Sequence, residues 1–268
     1  MTELGRDIAA YYERGDEEDR LASGNGLLEY ERTRILLRRR LPPVPARVLD
    51  VGGGPGRYAA WLASEGYEVT LVDPVPLHVS QARARAAEHP FSAQAGDARA
   101  LGFRDGSFDA AILLGPLYHL TERAERVGAL REAVRVVRPG GVVVAAAISR
   151  FASLMDGIRL DLLADPDFRA IIERDLSDGQ HRPAPSGRYF TTAYFHHPDE
   201  LREEAREAGL ASVDMLAVEG PWGLLSDVDE RAGDAERWAC LLRSAESIES
   251  EPSLLGASFH FLAIGRRE

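Results

Sequence analysis

The chain has 268 residues, with 43 acidic side chains against 32 basic ones, all of them arginine, and a net charge of −11. This acidic balance argues against a general surface for nucleic acid or anionic membranes, because phosphate binding needs a basic face. The absence of lysine excludes Schiff-base and lysine-nucleophile chemistry.

Cysteine content and apolar runs bear on the compartment. The one cysteine, Cys240, cannot form an internal disulfide or a multi-cysteine zinc site. The sequence contains no run of eighteen apolar residues, so no membrane span is predicted. The first ten residues, which carry Glu3 and Asp7, do not have the pattern of a signal peptide. We therefore expect a reducing, cytoplasmic environment.

Residues 1–41 precede the first predicted strand and are expected to be helical in two or three pieces. The cluster Gly24-Asn25-Gly26 predicts a break, and a helix predicted over residues 27–41 should stop at Pro42. Apolar residues seven apart on one face of this helix indicate that it covers a sheet.

A glycine turn follows the first strand. Residues 46–51 are predicted to form a buried strand, and Gly52, Gly54 and Gly56 stand between it and an apolar helix. Such a turn brings bare backbone N–H groups close to a ligand. A dinucleotide-binding fingerprint would place its third glycine at Arg57, so the spacing disfavours that class.

Four further blocks continue the alternation of strands and helices. Alternation of this kind predicts a parallel sheet with helices on both faces, and ligands bind at the carboxyl ends of its strands. His78, in the first turn of the helix after the second strand, is interpreted as exposed. The blocks are the strand 69–73 ending in Asp73, the stretch 95–98 with Asp97, the strand 108–114, and the helix stop at 136–141 before a fifth strand.

Two insertions follow in the second half of the chain. Residues 149–195 hold two helical pieces, a polar loop and an aromatic stretch. Residues 219–253 are predicted to be largely helical, between strands predicted at 211–218 and 254–264. The second half is therefore expected to complete the sheet.

Counted from Asp50, the turn reads D-x-G-x-G-x-G, and with the four blocks after it this pattern resembles the class I S-adenosylmethionine-dependent methyltransferases. The resemblance covers residues 46–149. It implies an α/β fold, a doubly wound, seven-stranded, mostly parallel sheet of the Rossmann-like methyltransferase type with helical lid insertions. Strand seven would be antiparallel and lie beside strand five. One domain over residues 1–268 is implied, made of an N-terminal helical lid (1–41), a cofactor-binding core (46–149), a cap insertion (150–196) and a C-terminal part of the sheet (197–268) with a helical insertion (219–253).

The same resemblance implies the cofactor S-adenosyl-L-methionine, with S-adenosyl-L-homocysteine as the product. Asp50 would contact the ammonium group, Asp73 both ribose hydroxyls, and Asp97 the exocyclic amine of adenine. For Asp50 the alternative is a helix N-cap, and a nicotinamide dehydrogenase would also carry an acid at Asp73. The expected cofactor residues are Asp50, Gly52, Gly54, Gly56, Asp73, Asp97, Ala98 and Leu114.

The residues after strand four bear on the methyl acceptor. Enzymes that methylate amino groups of nucleic acids usually carry [DNS]-P-P-[YFW] here, and Gly115 lacks the side-chain oxygen that would bond a flipped base. We therefore expect no DNA partner. The string Gly-Pro-Leu-Tyr-His-Leu instead resembles bacterial small-molecule methyltransferases, in which a histidine often follows this strand.

His119 is the candidate general base, because an acceptor that arrives protonated needs one and an imidazole titrates near neutral pH. A packing role under the next helix is the alternative. No metal is expected, since the adjacent His196 and His197 point opposite ways in an extended chain. The candidate substrate-pocket residues are Tyr11, Tyr12, Arg20, Tyr118, Tyr189, Tyr194 and His196. For the last three the alternative is simple packing within the cap.

These observations favour methyl transfer to an oxygen or nitrogen of a small molecule, by a monomer or homodimer that has no membrane partner. Methyl transfer is an in-line displacement, so position is the main contribution of the protein. The alternatives are an S-adenosylmethionine-binding protein with changed or lost catalysis, and a protein or RNA methyltransferase, which would need a basic docking surface. A nicotinamide oxidoreductase is disfavoured by Arg57.

Overall fold

The computed structural model describes residues 11, 12, 16–184, 186 and 188–268. Much of the first piece of the predicted lid, residues 1–10 and 13–15, lies outside the described residues. The strands are β1 (Arg47–Val51), β2 (Glu68–Asp73), β3 (Ser92–Ala95), β4 (Phe108–Leu113), β5 (Val137–Ile148), β6 (Gln180–His181), β7 (Ala193–Tyr194), β8 (Leu210–Ala217) and β9 (His260–Arg267).

Seven of these strands form one sheet in the order β3-β2-β1-β4-β5-β9-β8, while β6 and β7 pair separately. Strands β1 to β5 pair in parallel with their neighbours, and β9 is antiparallel to both β5 and β8. The predicted α/β fold with a mostly parallel seven-stranded sheet is confirmed. The strand order reverses between β1 and β4, and in open sheets of this kind ligands bind at that point, beyond the carboxyl ends of the strands.

Helices cover both faces of the sheet. Successive residues of β1 point to opposite faces, so that Leu49 packs in one buried cluster and Val48 in the other. The helices are α1 (Gly24–Arg40), α2 (Arg57–Ser64), α3 (Pro76–Arg85), α4 (Arg123–Val136), α5 (Ala152–Arg159), α6 (Pro166–Asp178), α7 (Pro198–Glu207), α8 (Val228–Ala232) and α9 (Ala235–Ile248). Within the described residues, none of them has the length and apolar character needed to cross a membrane.

Two predicted boundaries are wrong. The glycine cluster does not break the chain, because Gly24 begins α1, and a side chain at Gly26 would place its Cβ 1.9 Å from the carbonyl oxygen of Arg20. Gly26 is therefore required by close packing of the first helical turn on the preceding chain. The last strand begins at His260 instead of residue 254, because Pro252–Ala257 forms a 3₁₀ helix whose first turn is capped by the side chain of Glu251.

The insertion after β5 packs over the carboxyl end of the sheet. Its α6 is well delimited, since the Asp165 side chain accepts hydrogen bonds from two N–H groups of the first turn and Gly179 ends the helix in the left-handed conformation. Met155 of α5 and Phe195 pack in one buried cluster with Tyr118, which follows β4. The insertion is thus held against the turn that leaves β4.

A buried ion pair joins α4 to α7. Arg126 donates to Glu204 at 2.7 and 3.0 Å, and both side chains are almost completely buried. Nε2 of His196 lies 3.3 Å from the same carboxylate, and the ring of Tyr194 lies 3.7 Å from the Arg126 guanidinium carbon. The buried Glu204 carboxylate is therefore paired mainly with Arg126.

We expect Arg126→Ala to lower the free energy of unfolding by about 3 kcal/mol, because it leaves the Glu204 carboxylate buried without its main partner. Urea titration followed by circular dichroism measures the effect. Arg131→Ala on the same helix is the control: Arg131 pairs with Glu207 in an exposed position, and its loss should cost less than about 1 kcal/mol. Equal effects of the two substitutions would contradict the assignment.

Candidate functional site

A cleft of about 700 Å³ opens at the carboxyl ends of β1, β2 and β4. The glycine turn after β1 and the turn after β4 form its floor, and residues that precede α1 lie at its edge. The structure brings most of the predicted cofactor and pocket residues together here. Those that line the cleft are Asp50, Gly52, Gly54, Asp73, Asp97, Ala98, Leu114, Tyr12, Arg20, Tyr118 and His119.

The glycine turn has two functions. Gly52 and Gly54 line the cleft in the left-handed conformation, with φ of 67° and 57°. A Cβ on Gly53 would lie 2.5 Å from Oδ2 of Asp50, so only glycine fits over that carboxylate. Gly56 faces away from the cleft: a Cβ there would lie 3.0 Å from the Phe91 ring and 3.1 Å from Ala82. Gly56 thus allows close packing of α2 against α3, and its contact with the cofactor stays a prediction.

Asp50 is 1% exposed and its Oδ2 has no hydrogen-bond partner within the described chain. Burial and the neighbouring charge of Asp73 raise the pKa of Asp50 to about 7. The alternative role as a helix N-cap is wrong, since Gly56 occupies that position of α2 and no side chain caps it. A buried carboxylate with an unpaired oxygen suits a cationic ligand group, which would hold it ionised.

Asp73 accepts three hydrogen bonds from the protein. Its Oδ2 accepts from the N–H of Gly54 at 2.9 Å, and its Oδ1 accepts from the N–H of Val75 at 2.9 Å and from Nδ1 of His78 at 3.1 Å. His78 is 4% exposed and lines the cleft, so its interpretation as an exposed residue is wrong. The first turn of α3 bends its ring back onto the strand end, which spacing alone does not reveal.

At the other end of the cleft Asp97 is half exposed and is held by Arg99. The guanidinium makes a bidentate contact with the carboxylate, at 2.6 Å for the shortest bond, and also bonds Glu125 at 2.6 Å. Hydrogen bonds from Arg99 lower the pKa of Asp97. Ala98 is buried beside it, and Leu114 lines the cleft after β4.

His119 is bonded to the segment that precedes α1. The hydroxyl of Tyr12 lies 2.7 Å from Nε2 of His119, and the two rings meet edge to face at 5.3 Å. Burial lowers the pKa of His119 to about 4, against an opposing effect of the Thr192 backbone, so its ring is neutral at pH 7. Burial likewise raises the pKa of Tyr12 well above 10. Because the phenol stays protonated, it donates to Nε2, which acts as an acceptor.

The other predicted pocket residues are distributed differently. Tyr118 packs against the His119 ring at 4.7 Å, and Tyr11 packs edge-on against both Tyr12 and Phe190. Arg20 is fixed at the edge of the cleft by two carboxylates, Glu17 at 2.8 Å and Glu29 at 2.6 Å.

Three predicted pocket residues contact structural partners instead. Tyr189 donates to Asp165 at 2.8 Å and packs on Phe168, both inside the cap. Tyr194 and His196 contact the Arg126 and Glu204 pair described above. A binding role was predicted for these residues because they are aromatic or basic. Aromatic and basic side chains also pack against buried ion pairs, and the sequence does not distinguish the two roles.

Glu29, Glu219 and His260 form a cluster near Arg20 in which one ligand atom from each lies within 4.8 Å of the others. These atoms are already bonded within the protein. His260 Nδ1 lies 2.6 Å from Glu219, whose other oxygen accepts from Ser258, and Glu29 is bonded to Arg20. Burial favours the neutral ring, yet the two carboxylates raise the pKa of His260 to about 9. The charged imidazolium of His260 therefore occupies the place that a metal ion would take between the two carboxylates.

Comparison with known proteins agrees with this arrangement. A family model described as a methyltransferase domain matches residues 49–145. A demethylmenaquinone methyltransferase of Beutenbergia cavernae is 34% identical over 147 residues, which are 53% of this chain and 58% of that protein. A ubiquinone biosynthesis O-methyltransferase of Methylocella silvestris is 35% identical over 204 residues, 72% of each chain.

Among solved structures, a SAM-dependent methyltransferase from Methanosarcina mazei superposes with a TM-score of 0.59 at 18% identity, covering 87% of this chain and 96% of that one. At this identity the likeness concerns the fold. The chain spans 58% of the length of the Beutenbergia protein.

His260 predicts a pH dependence of stability. Its pKa is raised to about 9 in the folded protein and is near 6.5 in an unfolded chain, so its contribution is complete below pH 6.5 and is lost as the pH rises through 9. We expect the free energy of unfolding to fall by up to about 3 kcal/mol between pH 6.5 and 9.5. Urea titrations at the two pH values measure this, and His260→Gln should show little of the fall. A variant with the same pH dependence as the wild type would contradict the charged state.

Proposed function

The chain belongs to the class I S-adenosylmethionine-dependent methyltransferases, and from this we propose that it moves a methyl group to an oxygen or nitrogen of a small molecule. The observation that carries the proposal is the presence of a neutral histidine, His119, in the same cleft as the buried acids Asp50 and Asp73. We infer one domain over residues 1–268, acting as a monomer or homodimer.

The residues of the cleft fit the cofactor. Asp50, buried with an unpaired oxygen, would bind the ammonium group. Gly52 to Gly54 present backbone without side chains, as close approach of the amino-acid end requires. Asp97 would hold the adenine amine once Arg99 shares its carboxylate. When bound, the cofactor supplies a sulfonium-activated methyl group, and these residues bind and orient it.

The pair formed by Tyr12 and His119 supports the proposal that the methyl acceptor is deprotonated in the cleft. A general base must be unprotonated before it acts, and the pKa of about 4 keeps His119 in that form throughout the physiological range. Because Nε2 already accepts from the Tyr12 hydroxyl, the proton of the acceptor would move to the Tyr12 oxygen as the Tyr12 proton passes to Nε2. The same lowered pKa makes His119 a weak base, so this proton would then pass on to solvent. Tyr118 would form the wall of the acceptor pocket.

The size of the cleft supports a small acceptor. A volume of about 700 Å³ must hold the cofactor and the acceptor together, and Tyr12 and Arg20 stand across its edge. The names of the two relatives, a demethylmenaquinone methyltransferase and a ubiquinone biosynthesis O-methyltransferase, support an acceptor of the small-molecule class. An oxygen acceptor that must lose a proton fits His119.

Calorimetric titration tests the cofactor without knowledge of the acceptor. We expect S-adenosylmethionine and S-adenosylhomocysteine to bind with micromolar dissociation constants and NADH not to bind. Asp73→Ala should weaken binding of the first two more than about tenfold, because a carboxylate that accepts ribose hydroxyls is lost. Arg131→Ala, remote from the cleft, is the control. Binding of NADH, or of none of the three, would refute the proposed function.

His119→Phe separates a catalytic role from a structural one. We expect turnover of an identified acceptor to fall about 100-fold or more, as for loss of a general base, while the affinity for S-adenosylhomocysteine changes less than about threefold. Tyr12→Phe, which keeps the ring and removes only the hydroxyl, should have a smaller effect on turnover. Parallel losses of turnover and cofactor affinity in His119→Phe would indicate that the ring only supports the fold of the cleft.

A further inference from the structure

His78 presents a buried nitrogen that the protein does not satisfy. Its Nδ1 lies 3.1 Å from Oδ1 of Asp73. A carboxylate oxygen only accepts, so Nδ1 carries the proton and Nε2 of the imidazole is the nitrogen left to accept. Nε2 is buried and has no hydrogen-bond partner among the described residues, although His78 lines the cleft. Buried polar atoms are nearly always paired, so this exception calls for a partner from outside the chain.

The neighbours of His78 cannot supply that partner. Tyr12 packs edge-on against the imidazole at 5.1 Å between ring centres, but its hydroxyl is already bonded to Nε2 of His119. The N–H groups of Gly54 and Val75 both donate to Asp73. Every hydrogen-bond donor placed at this wall of the cleft is therefore engaged elsewhere.

Asp73 has room for one more donor, not two. A carboxylate oxygen offers about two acceptor positions. Oδ1 already accepts from Val75 and His78, and Oδ2 accepts only from Gly54. A ribose presents two adjacent hydroxyls, so a carboxylate that is three-quarters engaged cannot accept both of them.

We propose that His78 is a cofactor-binding residue whose Nε2 accepts a hydrogen bond from one ribose hydroxyl of S-adenosylmethionine, while Oδ2 of Asp73 accepts one from the other hydroxyl. The inference rests on the proposed function and refines it. It replaces the expectation that Asp73 holds the diol alone. The two acceptors lie at the end of β2 and in the first turn of α3, so this one turn would bind both hydroxyls.

The test is a binding cycle that needs no turnover. S-Adenosylhomocysteine and its 2′-deoxy and 3′-deoxy analogues are titrated by calorimetry into the wild-type protein and into His78→Phe, which keeps an aromatic ring of similar size. In the wild type, loss of either hydroxyl should weaken binding about tenfold. His78→Phe should bind S-adenosylhomocysteine about tenfold more weakly, and one of the two deoxy analogues should then bind as well as the parent compound, because their losses are not additive.

The outcomes are distinguishable. If His78→Phe keeps the wild-type affinity, or if both deoxy analogues lose affinity in it as they do in the wild type, the inference is wrong. If wild-type protein does not bind S-adenosylhomocysteine, the proposed function fails instead. Gln81→Ala, on the same helix but bonded to Glu18, is the control and should bind like the wild type.

A second measurement does not depend on folding of a variant. In wild-type protein labelled with ¹⁵N-histidine, the signal of Nε2 of His78 should move upfield when S-adenosylhomocysteine is added, because the nitrogen then accepts a hydrogen bond. The 2′-deoxy or the 3′-deoxy analogue, whichever lacks the relevant hydroxyl, should not produce this shift. No shift with the parent compound at saturation would overturn the assignment.

Discussion

Two buried carboxylates at the ends of adjacent strands determine the shape of this cleft. Asp50 is the penultimate residue of β1 and Asp73 is the last residue of β2, and both side chains are almost fully buried. Burial, with a smaller contribution from the charge of Asp73, raises the pKa of Asp50 to about 7. The chain between β1 and α2 must pass directly over them. Gly53 can do so because it has no Cβ, and Gly54 turns its N–H onto Asp73. The glycine turn is thus shaped by the acids beneath it as well as by a ligand.

Beside the cleft, buried charges are balanced by acidic and basic side chains that alternate in space. Glu29 is bonded to Arg20, and His260 lies between Glu29 and Glu219, with its pKa raised to about 9 by these two carboxylates against the effect of burial. The chain has no lysine, so arginine and imidazolium supply all the internal cations. Because Glu29 belongs to α1 and His260 begins β9, this charge sequence attaches the helix to the sheet and fixes Arg20 at the cleft.

The features predicted correctly from the sequence are those that depend on residues close together in the chain. The strands from β1 to β5, the glycine turn and the acids at the strand ends follow from apolar runs and turn chemistry, which act over a few residues. The predictions for Gly26 and His78 are wrong because the roles of these residues depend on what the chain packs against, a carbonyl of the preceding turn and a strand end. The packing of Gly56 against a neighbouring helix could not be predicted for the same reason. Tyr194 and His196 show the same limit, since nothing near them in sequence identifies Arg126 and Glu204 as their partners.

The polarity of the cleft explains which ligands it admits. Among the described residues that line the cleft, Oδ2 of Asp50 and Nε2 of His78 are unpaired acceptors, and Asp73 retains one acceptor position, whereas the unpaired Nδ1 of His119 is a donor because Nε2 of that ring accepts from Tyr12. The three acceptor positions at Asp50, His78 and Asp73 favour ligand groups that donate, such as an ammonium or a ribose hydroxyl. They disfavour the pyrophosphate of a dinucleotide, which would bring two negative charges to a glycine turn lying over Asp50. The placement of these acceptors therefore disfavours a dinucleotide independently of the glycine spacing, because it acts through charge at short range in a poorly solvated site.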